Sequence, residues 1–229
     1  MLTLSPEDWT AIGVTLRLCL FTTLILLALG TPIALWLAAG NSRLRSVVQA
    51  LVALPLVLPP TVLGFYLLLT LGPQGWVGGT LQKLGFDHLA FSFTGILIGS
   101  VIYSLPFTVQ PLQQAFRQAG RRPLHVAASL GAGPLDRFLS ITLPLARSGF
   151  VMAATLTFAH TLGEFGVILM IGGSIPGETH VLSTTIFAHA EAMNYAAAHR
   201  LSLLLIGAAF AVLFVVYRVN GGRTPAVQA

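Results

Sequence analysis

The chain has 229 residues, of which 55% are hydrophobic and only 8% are charged, and its mean hydropathy is +0.84. A soluble domain carries about 25% charged residues, and a chain this short cannot bury so much apolar surface in its own core. The net charge of +5 does not indicate a nucleic-acid partner, because the basic residues lie in short segments between apolar runs. We therefore predict an all-α integral membrane protein in contact with membrane lipid.

Five apolar stretches follow one another along the chain, each close to or above the ~20 residues that a membrane-spanning helix needs. They are residues 11–38, 47–71, 91–116, 148–172 and 201–218, the last extended at its start by residues 196–198. The chain opens with Glu7 and Asp8 rather than with the positive charge of a signal peptide, which favours a retained first helix. We predict about five transmembrane helices in a single domain over residues 1–229.

The basic residues divide unequally between the two sides that five spans would define. Nine of the twelve lysines and arginines fall on one side, namely Arg43, Arg45, Arg117, Arg121, Arg122, Arg137, Arg147, Arg218 and Arg223. Cytoplasmic loops are enriched in Lys and Arg, so this side is predicted to be cytoplasmic. The N-terminus is then outside and the C-terminus is in the cytoplasm. The tail, residues 219–229, is predicted to be disordered.

The second apolar stretch contains Pro55, Pro59 and Pro60 within six residues. Proline removes a backbone donor and kinks a helix, and the backbone groups that it frees at membrane depth need protein or a water-filled cavity beside them. We predict a broken helix that lines a pathway or gate. A kink that serves packing alone is the alternative.

The fourth apolar stretch contains the run Gly163, Glu164, Phe165 and Gly166. A carboxylate at membrane depth costs several kcal/mol and normally faces a polar interior. These four residues are therefore candidates for a pore or gate, with a structural acceptor between two helices as the alternative role of Glu164. The nearby His160 is predicted to form an interhelical hydrogen bond.

The sequence offers little for catalysis or for an energy supply. His180 and His189 lie near two glutamates, but their spacing is not diagnostic of a metal site. A phosphate-binding loop needs a lysine directly after a glycine, and the single lysine of the chain, Lys83, follows a glutamine. We predict no catalytic residue, no metal site and no bound cofactor in this chain.

The longest segment on the basic side, residues 120–147, contains a short helix, a break at Gly131 and Gly133, and a second apolar helix. A protruding segment of this kind can dock into a groove on a partner protein. The alternative interpretation is an amphipathic helix that lies on the surface without a partner. The segment resembles the coupling loop of ABC importer permeases, in which Glu-Ala-Ala is followed by Gly and later by Ile-x-Leu-Pro. The matching residues are Ala127, Gly131, Ile141, Leu143 and Pro144, while His125 stands where the family has Glu and Val126 where it has Ala.

The resemblance extends over nearly the whole chain, which is similar in detail to molybdate permeases. Residues 54–64 resemble the second-helix signature of that subfamily, and residues 162–166 followed by 175–179 resemble its gate region. Sulfate permeases share the Gly-Glu-Phe-Gly part but usually lack the Ile-Pro-Gly-Glu-Thr part. A sulfate or thiosulfate permease is therefore the alternative within the class, and a non-transporting membrane scaffold or an intramembrane enzyme is the alternative outside it.

The resemblance implies a type I ABC importer permease (MetI-like) fold in a bacterial inner (plasma) membrane. It further implies a homodimer with a pore on its two-fold axis, two cytoplasmic ABC ATPase subunits that use ATP and Mg, and a periplasmic or extracellular binding protein that delivers molybdate or tungstate. Closure of the ATPases would pull the loop at residue 131 and open the gate at residues 163–166 outward, as a rigid-body transition biased by nucleotide.

Overall fold

The computed structural model describes residues 4–120 and 122–220, and within these residues the chain is helical and has no strand. Helix α1, Pro6–Ala38, begins after Ser5, whose hydroxyl accepts a hydrogen bond from the Asp8 N–H while the Asp8 carboxylate accepts one from the Ser5 N–H. This reciprocal cap satisfies donors that a helix start leaves free. At 1.5 Å per residue, the helix extends about 50 Å and can cross a hydrocarbon core of about 30 Å.

The second apolar stretch is broken, as the prolines predict. Its parts are helix α2, Arg43–Ala53, a 3-10 turn, Leu54–Leu56, and helix α3, Pro60–Leu71, and the short helix α4, Trp76–Lys83, follows. The directions before and after the break differ by 107°. The break falls where proline rings remove N–H donors in succession, so the backbone ladder cannot continue.

Helix α5, Phe93–Ala119, begins after Ser92, whose hydroxyl accepts a hydrogen bond from the Gly95 N–H, and it continues through two internal prolines. It packs along α1. The approach is close at Gly30 of α1, where a Cβ atom would lie 3.0 Å from Cγ2 of Thr108. A glycine at this point therefore allows the two long helices to touch.

The remaining chain is divided into shorter helices before a long final one. They are α6, Arg122–Ser129, α7, Pro134–Arg137, a π-helical turn, Phe138–Thr142, α8, Leu143–Leu145, α9, Arg147–Leu162, α10, Gly166–Gly172, α11, Leu182–Glu191, and α12, Tyr195–Asn220. The stretch 148–172, predicted as one span, thus consists of two helices with a break at residues 163–165. Of the tail predicted to be disordered, residues 221–229 lie outside the described part, and residues 219 and 220 end α12.

Within the described residues, three helices are long and apolar enough to cross a membrane: α1, α5 and the part Tyr195–Phe214 of α12. Two bent pairs, Arg43–Leu56 with Pro60–Lys83 and Pro134–Leu145 with Arg147–Leu162, raise the number to as many as five. The prediction of an all-α membrane protein with several apolar helices is confirmed.

The placement of side chains is the reverse of that in a soluble protein. Hydroxyl groups are fully buried between the long helices, among them those of Thr22, Ser100, Ser104, Thr108 and Thr157. Large apolar side chains, among them Leu24 and Leu29 of α1 and Phe210 and Phe214 of α12, are exposed on the outside. Small polar residues between helices and apolar residues outside them are typical of a bundle whose solvent is lipid.

Candidate functional site

The break between α9 and α10 brings the predicted gate residues together. Helix α9 ends at Leu162, α10 begins at Gly166, and Gly163, Glu164 and Phe165 connect them. These residues line a cavity of about 530 Å³, here called the gate cavity. Its other lining residues are Pro60, Thr61, Tyr103, His160, Leu169 and Met170. The broken second stretch and the Gly-Glu-Phe-Gly run therefore border the same space.

The contact between α3 and α10 requires glycines. A Cβ atom at Gly166 would lie 3.0 Å from Cβ of Pro60, and one at Gly64 would lie 2.7 Å from Cβ of Met170. Because neither position has room for a side chain, the two helices can pack closely only with these glycines in place.

The three prolines of the second stretch do not share one position. Pro60 opens α3 and lines the gate cavity. Pro55 is buried within the 3-10 turn, and Pro59 is exposed just before α3. Pro55 and Pro59 thus shape the break, whereas Pro60 also reaches the predicted gate.

Glu164 is buried, with 4% of its surface exposed. Its carboxylate oxygens have no hydrogen-bond partner among the described residues, while its backbone carbonyl accepts a hydrogen bond from Ser183 Oγ at 2.6 Å. The hydroxyl of Ser100 on α5 neighbours the carboxyl group but is itself without a partner of hydrogen-bonding geometry. In this conformation the carboxylate therefore makes no hydrogen bond that ties two helices together.

His160 joins the end of α9 to α5. Its Nδ1 lies 2.9 Å from Ser104 Oγ, which is also 3.1 Å from the hydroxyl of Thr161. The imidazole stacks on Phe107, with ring centroids 4.0 Å apart, and lies 4.8 Å from the ring of Tyr103. The interhelical hydrogen bond predicted for His160 is present, and it fixes one wall of the gate cavity.

The segment 120–147, here called the coupling segment, turns at Gly131. The φ angle of Gly131 is +88°, a conformation that residues with a Cβ atom rarely adopt, and a Cβ atom there would meet nothing within 4 Å. The N–H of Gly131 donates to the Ala128 carbonyl at 3.1 Å, and that of Ala132 donates to the Ala127 carbonyl at 3.0 Å. Backbone conformation, rather than lack of space, requires glycine at this helix end.

The residues at the positions of the family pattern differ in exposure. His125, Gly131 and Pro144 are exposed, whereas Ala127, Ile141 and Leu143 are half-buried. The motif did not reveal five large apolar side chains that the segment exposes, namely Leu130, Leu135, Val126, Leu145 and Leu139. Exposed apolar side chains on a short segment with polar flanks make it a candidate for contact with another protein.

The coupling segment rests on the inner ends of α1 and α5. A small apolar cavity of about 210 Å³ lies between them. It is lined by Leu35, Ala38 and Ala39 from the end of α1, Phe116, Ala119 and Gly120 from the end of α5, and Leu124, Ile141, Thr142 and Leu145 from the coupling segment. This contact, here called the inner seat, places the loops after α1 and after α5 at the same end of the bundle.

A π-helical turn, Phe138–Thr142, lies between the exposed part of the coupling segment and α9. The Leu143 N–H donates to the Phe138 carbonyl, five residues earlier. Pro144 follows and has no N–H to offer the preceding turn, so it is the sequence signal that could have predicted an irregular helix here. Single π-helical turns are frequent at functional sites.

At the other end of the bundle, α11 is attached to α1. Thr15 Oγ1 accepts a hydrogen bond from the Leu182 N–H at 2.8 Å, and His189 Nε2 lies 3.6 Å from Asp8 Oδ1. Burial is the main cause that lowers the pKa of the neighbouring His180. In the part of the chain that the structure describes, no three His, Cys, Asp or Glu side chains are grouped to hold a metal.

Residues 30–220 match the family of the binding-protein-dependent transport system inner membrane component. The chain belongs to this family. The members of this family are transport permeases, so the predicted role as an inner membrane permease is confirmed.

Two relatives and one solved structure sharpen the assignment. The chain is 56% identical to the molybdenum transport system permease protein ModB of Azotobacter vinelandii, over 93% of this chain and 95% of that protein. It is 31% identical to the probable sulfate transport system permease protein cysT of Helicosporidium sp. subsp. Simulium jonesii, over 94% of this chain and 79% of that protein. The fold matches a chain of the MetNI methionine ABC transporter in inward-facing conformations, with a TM-score of 0.71 at 18% identity over 95% of this chain and 97% of that one. The predicted type I ABC importer permease fold and the resemblance to molybdate permeases are confirmed.

Proposed function

We propose that this chain is the permease subunit of an ATP-driven ABC importer that moves molybdate, with tungstate as a further substrate, into the cytoplasm. The 56% identity to the molybdenum permease of A. vinelandii over 93% of the chain carries this proposal. The Ile-Pro-Gly-Glu-Thr run at residues 175–179 adds to it, because the sulfate permeases that form the alternative usually lack that run.

The energy for transport comes from a partner in this proposal. The chain contains no phosphate-binding loop, so two cytoplasmic ABC ATPase subunits would bind ATP and Mg and hydrolyse the nucleotide. The exposed apolar side chains of the coupling segment, led by Leu130 at 82% and Leu135 at 69% exposure, supply a surface that a groove on the ATPase would cover. A periplasmic or extracellular binding protein would deliver the anion on the opposite side.

The pore is formed between two copies of the chain. Thr61 and Gly163 are exposed at the rim of the gate cavity. A cleft with polar groups at membrane depth needs protein or water, rather than lipid, in front of it. A homodimer with its two-fold axis in front of this cleft meets that need.

The orientation follows from charge and from the inner seat. The inner seat places the C-terminal ends of α1 and α5 at one end of the bundle, and residues 43–45 and 117–147 contain seven of the twelve basic residues. The positive-inside rule assigns this end to the cytoplasm. The start of α1, with Asp8 against His189 of α11, then lies outside.

Reconstitution tests the proposal. The permease, its ATPase and its binding protein are placed in liposomes, and uptake of radiolabelled molybdate is measured with ATP. We expect uptake that requires all three proteins and that unlabelled tungstate inhibits more strongly than unlabelled sulfate. Uptake of sulfate that molybdate does not inhibit would favour the sulfate permease, and absence of ATP-dependent uptake of either anion would reject an importer of these oxyanions.

A further inference from the structure

Helix α5 carries two amide side chains on its exposed face within the membrane. Gln110 and Gln114 are one helical turn apart and both are exposed. At 1.5 Å per residue, Gln110 lies about 13 Å from the inner end of the helix at Ala119. An amide that faces hydrocarbon at this depth has no hydrogen-bond partner, so these side chains need a polar environment in front of them.

Gln110 and Gln114 line a cavity of about 500 Å³. Its walls include Leu56 from the broken second stretch and Leu156 from α9. Phe107, which also lines it, stacks at 4.0 Å on His160 of the gate cavity. The two cavities therefore neighbour one another along α5, where Tyr103 lines the gate cavity and Phe107 lines the second cavity, and the pair is here called the cleft.

The cleft offers hydrogen-bond donors without a positive charge. In the described part of the chain, the residues that line the two cavities include no Lys or Arg, and the acidic one among them is Glu164. The carboxylate oxygens of Glu164 are withdrawn from the surface. The exposed donors are thus neutral: the two glutamine amides low in the cleft and the hydroxyl of Thr61 near its top.

We infer that Gln110 and Gln114 form the site that contacts the substrate in transit, and that this site takes a tetrahedral oxyanion with two negative charges. The inference rests on the proposed function and adds to it the residues that the anion meets after the gate. Each glutamine amide has two N–H donors and carries no charge. Neutral donors replace part of the hydration of a dianion, yet hold it weakly enough for release, whereas a lysine or arginine would retain it.

The test uses the whole transporter in liposomes, with the amount of assembled complex matched between variants. The double variant Q110E/Q114E places negative charge where the anion passes, and we expect uptake of molybdate at about pH 7.5 to fall at least tenfold through like-charge repulsion. The variant Q110M/Q114M keeps the approximate length of the side chains but removes the donors, and we expect uptake to fall about threefold to tenfold. The control Q82E makes the same change at an exposed position of α4, away from the cleft, and should match the wild type.

A change of pH separates an electrostatic effect from damage to the fold. Protonation at about pH 5.5 removes part of the negative charge of two neighbouring glutamates, because each raises the pKa of the other. Relative to the wild type at the same pH, uptake by Q110E/Q114E should therefore recover at least threefold. Provided that the wild-type complex imports molybdate, either of two results would overturn the inference and leave the proposed function intact. One is full uptake by Q110E/Q114E, and the other is a loss of uptake in Q110E/Q114E that does not recover at about pH 5.5. A wild-type complex that does not import molybdate would instead reject the proposed function itself.

Discussion

The coupling segment and the gate cavity depend on opposite kinds of packing. The coupling segment exposes its large apolar side chains, and Gly131 at its turn has empty space around it. At the gate cavity, a Cβ atom at Gly166 would lie only 3.0 Å from Cβ of Pro60, and the carboxyl group of Glu164 is buried. The first region therefore leaves apolar surface uncovered by the chain, whereas the second is shaped by the contacts of the chain with itself.

The largest effect is expected from charges on the exposed face of the coupling segment. In L130D/L135D, the ATPase should bind at least about a hundredfold more weakly, because each leucine that a partner buries contributes about 1.5–3 kcal/mol and a buried carboxylate costs more. The midpoint of thermal unfolding of the permease should stay within about 2 °C, since both side chains are exposed. Co-purification of the ATPase and ATP-dependent uptake measure the effect. The control L84D, at an exposed leucine beyond α4, should retain the ATPase, and retention by L130D/L135D would remove the distinction between the two regions.

A side chain at Gly166 should have the next largest effect, and on the chain itself. G166V would press on Pro60, and overpacking of this kind costs about 1–3 kcal/mol. We expect a lower unfolding temperature and about tenfold lower uptake, with the ATPase still bound. G13V is the matched control, because Gly13 is exposed on α1 outside the gate cavity and a Cβ atom there would meet nothing within 4 Å. Equal behaviour of the two variants would mean that the contact between α3 and α10 does not limit the gate.

Glu164→Gln separates the two roles that remain open for the buried carboxyl group. The change replaces a buried carboxyl group, whose oxygens have no hydrogen-bond partner among the described residues, by a neutral amide, so stability should be unchanged or higher by about 1 kcal/mol. If the carboxyl group of Glu164 is needed for gating, uptake should fall about threefold to tenfold, while the unfolding temperature should not fall. E191Q, at an exposed position at the end of α11, is the control. A parallel loss of stability and uptake in E164Q would favour a structural acceptor.

The smallest effect is expected where the chain departs from the family pattern. His125→Glu restores the family residue at an exposed position, and exposed ion pairs contribute only about 0–1 kcal/mol. Affinity for the ATPase should therefore change by less than about fivefold, as measured by titration of the ATPase on permease-containing liposomes. A larger change would show that a charged contact, in addition to apolar contact, holds the coupling segment.

Local chemistry in the sequence predicted much of the fold. Long apolar runs predicted the spans. The three prolines predicted the break in the second stretch, where the structure shows a bend of 107°, because a residue without an N–H donor interrupts the helix at its own position. The turn at Gly131 was also predictable locally, because glycine lacks a Cβ atom and readily adopts the positive φ angle found there. The Gly-Glu-Phe-Gly run indicated residues that line a common cavity, although the chain on both sides of the run was too apolar to reveal that it separates two helices.

Features that depend on contacts between distant residues could not be predicted. That Pro60, but neither Pro55 nor Pro59, lines the gate cavity follows from its contact with Gly166, about a hundred residues later. The exposure of Leu130 and Leu135 depends on what the rest of the chain leaves uncovered. Gln110 and Gln114 looked like ordinary polar residues near the end of a span until the structure placed them in a cleft.

The attachment of α11 to α1 has a consequence for how motion crosses the membrane. Leu182 bonds to Thr15 of α1, and the next residue, Ser183, bonds to the carbonyl of Glu164. The opposite end of α1 borders the inner seat. Helix α1 thus borders the inner seat directly and is linked to the gate cavity through α11, and a tilt of about 5° would displace one end of its ~50 Å length by roughly 4 Å relative to the other. Such a displacement is about the diameter of an oxygen atom, and Leu182 and Ser183 would transmit it from α1 to the carbonyl group of Glu164.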